Sequence, residues 1–535
     1  MHRPLRFRAP RLVVRLLASS AVVAACATTH PPPHEARTAF PFEEATVAEL
    51  ATALESGALT SRGLTEAYLA RIEALDRQGP ALHSMIVVNP EALAIADSLD
   101  AERRAGRVRG PLHGIPVVLK DNIATGDRMP TTAGSRALEG VIAPRDAFLV
   151  QRLRAAGAVI LGKANLSEWA NFRSTASSSG WSGVGGQVRN PYVLDRSPCG
   201  SSSGSAVVVA ANLAPLAVGT ETDGSIVCPA SANGIVGIKP TLGVVSRSGI
   251  VPIAHSQDIA GPMARTVADA ALLLNALTGR DAADATTSSA PGVDYTRALD
   301  ASALRGARIG VVRTRMAGYH TATDSLLERA IADLRAAGAI VVDSLAVPHH
   351  GDYDEAEWTI LLHEFRHDLN AYLASLGDAT RVRTLADVIA FNRRDSERSM
   401  PHFGQEIFLL AEATTGLEAR EYLEAKETAR FAAAGIDSIL RQHSLDALIA
   451  PTGSPSWPID PVLGDHFIGA SSGPAAVAGY PNITVPMGQV SGLPVGLSFF
   501  GTARSEPRLI ALAYAYEQAT RHRTPPRFLP TLEPR

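Results

Sequence analysis

The sequence predicts an α/β fold: one large domain with a central mixed, mostly parallel β-sheet flanked by helices. Three observations carry this. Strand-length apolar runs alternate with amphipathic helical segments along most of the chain. Residues 306–345 read strand, helix, strand (GARIGVVRT, LLERAIADLRAAGA, IVVDSL), a βαβ unit. Hydrophobic residues make up 46% and charged residues 19%, which suits a well-buried globular chain and argues against disorder.

Taken in order, VAELATALESG and LTEAYLARIEAL, within 43–77, repeat apolar residues at helical spacing and predict two amphipathic helices. Glu91 to Arg104 predicts a third. Gly114–Asn122 (GIPVVLKDN) is an apolar strand ending in charge. Adjacent strand residues point to opposite faces, so Lys120 and Asp121 are not expected to pair. Residues 146–162 predict a helix and then the buried strand AVILG; the Ser/Gly-rich segment 171–205 predicts loop. AVVVAANLA (206–214) predicts a buried helix, although its valines also suit a strand. PLAVGTETDGS (215–225) predicts a strand and then a tight loop. LDALIAPT (445–452), NITVPMG (482–488) and LPVGLSFFG (493–501) predict further strands, and RLIALAYAYEQAT (508–520) a closing helix. No internal repeat is visible. After residue 40 only the polar stretch 279–295 has the composition of a linker.

The N-terminus reads as a targeting segment. Arg3, Arg6, Arg8, Arg11 and Arg15 precede the apolar run LLASSAVVAA (16–25), which is too short to span a bilayer. Val23-Ala24-Ala25-Cys26 is similar to a bacterial lipobox. The expectation is a signal peptide over 1–25, lipid on Cys26, a tether over 26–42 and a catalytic domain over 43–525. An ordinary secretory signal cut nearby is the alternative. Such a chain is exported to the cell envelope or periplasm and touches the membrane only through its lipid. A net charge of -3 gives no reason to expect a nucleic-acid partner. The remaining cysteines, Cys199 and Cys228, imply no disulfide framework and read as two small buried residues, although an oxidising compartment would allow them to pair.

Four stretches compete to carry chemistry. Gly200-Ser201-Ser202-Ser203-Gly204 satisfies G-x-S-x-G, the nucleophile elbow, with Ser202 at its centre. However, the pattern arises readily in Gly/Ser-rich chain, and turn residues rather than a strand precede it. His363-Glu364-Phe365-Arg366-His367 matches HExxH, in which two histidines one helical turn apart bind zinc and the glutamate is the base. No third ligand is evident. Lysine is scarce: only Lys120, Lys163, Lys239 and Lys426 occur among 50 basic residues. Arginine cannot give up its proton in a protein, whereas a buried lysine can, so a site needing a neutral amine would keep lysine. Lys120 sits at a strand end beside Gly/Ser-rich loops. Finally, Gly219 to Ile226 (GTETDGSI) turns successive backbone N–H groups toward one point, an anion-binding nest suited to an oxyanion.

Gly114–Asn122, CGSSSGSA (199–206), GTETDGSIVCPAS (219–231), GIVGIKPT (234–241) and SGPAAVAGYPNITVP (472–486) together resemble the amidase signature family in order and spacing. The likeness runs from about residue 43 to about residue 520 and is strongest to the branch holding bacterial peptide amidase and plant-type amidases. The resemblance implies a serine amidohydrolase that turns a carboxamide into a carboxylate and ammonia, C-terminal peptide amides or smaller amides being its substrates. It implies Lys120 as general base and Ser201 as a bridging serine preceded by a cis peptide bond. Ser225 is then the nucleophile, and the backbone of Thr222, Asp223 and Gly224, with Ser225 itself, forms the oxyanion hole. No metal and no organic cofactor are implied. The common family form has Gly-Gly before the nucleophile; Asp223 stands here instead and is expected to tune what enters. Lys163 and Lys239 are expected to be structural, and Asp121 and Asn122 to brace the Lys120 loop. Trp169 and Phe172 are expected to line the pocket or simply to pack. The alternatives are an HExxH zinc peptidase using His363, Glu364 and His367, and a non-catalytic binding lipoprotein.

Overall fold

The computed structural model describes residues 40–290 and 292–533. The signal peptide, Cys26 and nearly all of the expected tether lie outside the described residues. Among those described, no helix is long and apolar enough to cross a membrane.

In chain order the strands are β1 (Met85–Val88), β2 (Pro116–Lys120), β3 (Val159–Ala164), β4 (Trp181–Ser182), β5 (Gly186–Gln187), β6 (Leu216–Glu221), β7 (Val236–Lys239), β8 (Ile259–Ala264), β9 (Arg308–Val312), β10 (Ile340–Leu345), β11 (Ala447–Pro451), β12 (Asn482–Val490) and β13 (Leu493–Phe500). Eleven of them join one mixed sheet in the order β1-β3-β2-β6-β8-β7-β12-β13-β11-β9-β10, while β4 and β5 form a separate small hairpin. The pairings are parallel within β3-β2-β6 and β11-β9-β10. They are antiparallel across the middle of the sheet and at β1.

The apolar runs explain the strands. β2, β3, β6, β8, β11 and β13 bury every residue, as strands covered on both faces must. The predicted βαβ unit is present, with the helix Thr321–Ala336 between β9 and β10 and a parallel register of Arg308 against Ile340. Both N-terminal helices form, over Val47–Glu55 and Ser61–Ile72. The side chains of Thr46 and Thr60 cap them, and Glu49 completes a capping box on the first.

Three local expectations change. The valine-rich run is helical but begins earlier, at Ser203, so two serines of the loop lie inside the helix Ser203–Ala210. β7 and β8 join the strands expected from the sequence, although neither carries an alternation that marks a strand. The polar stretch 279–295 is no linker: Asp284 pairs with Arg247, Thr287 is buried, and Tyr295 is sealed in the core. Its polar residues bond to one another and to the 246–248 loop.

Candidate active site

Lys120 ends β2, one strand from the β6 end where the tight loop begins. It is wholly buried. Its Nζ lies 2.7 Å from Ser201 Oγ, 2.8 Å from Thr220 Oγ1 and 3.2 Å from the Thr220 carbonyl. Burial pushes the amine down from 10.5 to about 7, against the pull of the Asp258 and Glu221 carboxylates. The three partners fit a neutral amine. Nζ donates to Ser201 Oγ and to Thr220 as the contacts stand; in the neutral form two N–H groups suffice for Thr220, which leaves a lone pair facing the Ser201 hydroxyl. Asn122 donates to the same Thr220 Oγ1 at 3.0 Å and so braces the lysine through its partner. Asp121 turns away, as expected. It takes the backbone N–H of Thr132 and lies 3.8 Å from Lys163.

The peptide bond Gly200–Ser201 is cis. The neighbouring serines are tied to backbone: Ser202 Oγ donates to the Thr220 carbonyl at 3.0 Å, Ser203 Oγ to Cys199 at 2.6 Å, and Ser205 Oγ to Val218 at 3.2 Å. Ser202 is fully buried at the start of a helix, with no strand before it. The elbow is therefore absent, and Ser202 is a clamp on β6. Ser202→Ala is expected to keep amide turnover within about threefold and to cost about 1 kcal/mol of stability, measured by ammonia release and thermal melting. Glycines 200 and 204 are required by contact. A side chain at Gly204 would strike the carbonyls of Ser84 and Asn165, and one at Gly200 would strike Ser167 Oγ.

The loop Thr222–Ser225 is shaped by Glu221, whose carboxylate takes the N–H groups of Ile226 at 2.8 Å and Val227 at 3.0 Å. The positive φ the turn needs falls on Gly224, at 77°, and not on Asp223. Among the described residues, no acceptor takes the N–H groups of Asp223, Gly224 or Ser225. A cavity of about 400 Å³ opens on this loop, with Ser225, Asp223, Gly224, Phe172, Trp457 and Phe467 in its wall. Ser225 is 8% exposed, whereas Ser201 and Lys120 are sealed behind it. The Ser202 N–H reaches the Ser225 carbonyl at 3.1 Å, which holds the two serine-bearing loops together.

Cys199 and Cys228 are bonded to each other, contrary to the reading of two separate small residues. Both lie in the cavity wall, one just before Ser201 and the other just after Ser225. The bond spans 29 residues and removes about 3–4 kcal/mol of unfolded-chain entropy. Phe172 lines the cavity, whereas Trp169 packs edge-on against Phe408 in the core. Lys163 and Lys239 are tied to carbonyls, Ile123 at 2.7 Å and Tyr480 at 2.6 Å.

HExxH does form on a helix, Asp354–Ser375, but its three residues diverge. His363 gives its Nδ1 proton to the Gly416 carbonyl at 2.8 Å. Glu364 is buried and accepts from Tyr422 Oη at 2.8 Å and the Ser256 N–H at 2.9 Å, so it is not available as a base. His367 pairs with Asp368 at 2.8 Å. The zinc-peptidase alternative is set aside on this geometry.

Sequence reasoning passed over Thr220, Glu221 and Asp258. Thr222 Oγ1 donates to Asp258 at 2.6 Å, and the other Asp258 oxygen takes the N–H groups of Ile253 and Ala254. Two of the three stand inside the quoted stretch GTETDGSI, but only the fold shows that they face the lysine and the loop.

The amidase family model matches residues 63–510. The chain belongs to the amidase signature family. A peptide amidase from Stenotrophomonas maltophilia is 56% identical, with a TM-score of 0.88 over 92% of this chain and 100% of that one. An amidase family protein from Bacillus anthracis is 40% identical, with a TM-score of 0.82 over 90% of this chain and 92% of that one. A "probable amidase" of Arabidopsis thaliana is 45% identical over 92% of this chain and 93% of its own length. This amidase is thus a hydrolase acting on amide C–N bonds, and its similarities include the peptide-amidase and plant chains that the sequence resembles.

Proposed function

We propose that this amidase hydrolyses C-terminal carboxamides of peptides through an acyl-Ser225 intermediate. The observation that carries the reading is the buried Lys120 amine, held near neutrality 2.7 Å from Ser201 behind the cavity that Ser225 lines. Neutral Lys120 takes the Ser201 hydroxyl proton as Ser201 takes that of Ser225. Ser225 Oγ then bonds to the amide carbon, and its electron pair displaces the carbonyl pair onto oxygen. The free N–H groups of the 222–225 loop receive that oxyanion; losing one such donor costs about 2.7–4 kcal/mol in other hydrolases. The relay returns the proton to the amide nitrogen, the C–N bond breaks and ammonia leaves. Water attacks the ester and gives its proton to the same relay, which returns one to Ser225 Oγ as the acyl C–O bond breaks and the carboxylate leaves.

The peptide amidase of Stenotrophomonas maltophilia supports a peptide amide as substrate. Phe172, Trp457 and Phe467 in the cavity wall supply apolar area for a side chain beside the scissile bond. We propose further that the chain is exported and anchored through Cys26. The Cys199–Cys228 bond supports this, because such bonds persist in oxidising compartments. Cys26→Ser is expected to move the protein from the membrane to the soluble fraction.

A pH profile tests the mechanism. Lys120 must be neutral to act, so kcat/KM on a peptide amide rises with pH through about 7 on one ionisation. Lys120→Arg keeps the charge and loses activity across the whole range. An acid limb near 4–5, or an active Lys120→Arg variant, would overturn the reading.

A further inference from the structure

A second cavity of about 400 Å³ has Thr220 and Asn122, the groups around Lys120, in its wall, together with His255 and Asp368. His255, His367 and Asp368 offer ligand atoms that all lie within 4.8 Å of one another. We propose that these three side chains bind one divalent transition-metal ion of the zinc, cobalt or nickel type.

The spacing suits it. Asp368 Oδ2 is 2.9 Å from His255 Nδ1, and Oδ1 is 2.8 Å from His367 Nδ1. Ligand atoms sharing an ion with bonds of about 2.0–2.2 Å stand roughly 3 Å apart when adjacent. Two imidazoles and one carboxylate select borderline metals over magnesium or calcium, which want oxygen.

An independent observation concerns the far side of His255. Metal-bound histidines hand their second ring N–H to a carboxylate or carbonyl, which fixes tautomer and orientation. His255 Nε2 lies 3.3 Å from Glu364 Oε1. Glu364 is itself buried and immobilised by Tyr422 and Ser256. Asp368 is aimed by the His255 backbone N–H at 2.8 Å. The His255 and His367 side chains are 42% and 58% exposed, which leaves an entry path and positions for water. The ion would tie the loop before β8 to the helix Asp354–Ser375. It takes no part in the amide chemistry, and His363 is not among its ligands.

Calorimetric titration of the untagged, chelator-stripped protein with zinc tests this, with cobalt absorption spectra reporting the ligand field. The expected result is one equivalent of zinc and a melting temperature that rises with it. His367→Ala, a surface change that keeps amidase activity, should weaken binding at least 100-fold. Glu364→Gln should weaken it about tenfold. His363→Ala should leave it unchanged. Absence of saturable binding, equal binding by His367→Ala, or loss in His363→Ala would overturn the proposal.

Discussion

Ser225→Ala is expected to lower kcat/KM for a peptide amide by about 10⁵-fold or more, the scale seen when a serine nucleophile is deleted elsewhere. Residual turnover would come from the oxyanion loop and binding alone. The cavity wall is otherwise untouched, so the variant should still bind substrate, which separates loss of chemistry from loss of fold. Quenched wild-type enzyme should carry an acyl adduct by intact-protein mass spectrometry, and the variant should carry none. Activity within tenfold of wild type would remove Ser225 from the mechanism and return attention to Ser201.

Lys120→Met should abolish activity and yet stabilise the protein. In the unfolded chain this amine titrates at 10.5, and in the fold at about 7. The unfolded state therefore binds more protons between those values, and wild-type stability rises with pH across that window. Below pH 7 the penalty is complete, about 5 kcal/mol at about 1.36 kcal/mol per pH unit. Methionine removes it while filling a similar volume. The variant leaves Ser201 Oγ without its lysine, whereas Thr220 Oγ1 keeps Asn122 at 3.0 Å. Three lost hydrogen bonds cost about 3 kcal/mol, so the net gain at pH 7 is about 1–2 kcal/mol. Melting at pH 6, 7 and 9.5 checks the sign: the advantage of Lys120→Met should shrink as pH rises. An unchanged or growing gap would mean that Lys120 is not held neutral.

Much of this fold and site is legible in the sequence, for physical reasons. β2, β3 and β6 open on uninterrupted apolar residues (PVVL, VIL and LAV), the pattern that two-face burial demands. The residues around Ser201 and Ser225 stand in unbroken motifs, so resemblance located them. Other features depend on distant partners. β7 is broken by Gly237, and β8 by Gly261 and Pro262, so pairing defines them more than composition does. Nothing in the spacing of Cys199 and Cys228 declares a bond, because the turn of chain between them decides whether they meet. The HExxH alternative could not be decided from sequence for the same reason. Helical periodicity placed His363 and His367 one turn apart, but Gly416, Tyr422 and Asp368 decided what each touches. Thr220 and Glu221 were in view as part of a strand end, and only the neighbouring strand revealed what they hold.

The burial of three lysines has a practical side. Lys120, Lys163 and Lys239 are sealed in the interior, and Lys426 alone has a partly exposed side chain, at 35%. Among lysine side chains, then, amine-directed coupling to a surface, a dye or a crosslinker has one point of attachment, on the helix Arg420–His443. Enzyme immobilised through that lysine would be uniformly oriented, and trypsin would map the folded surface through its arginines.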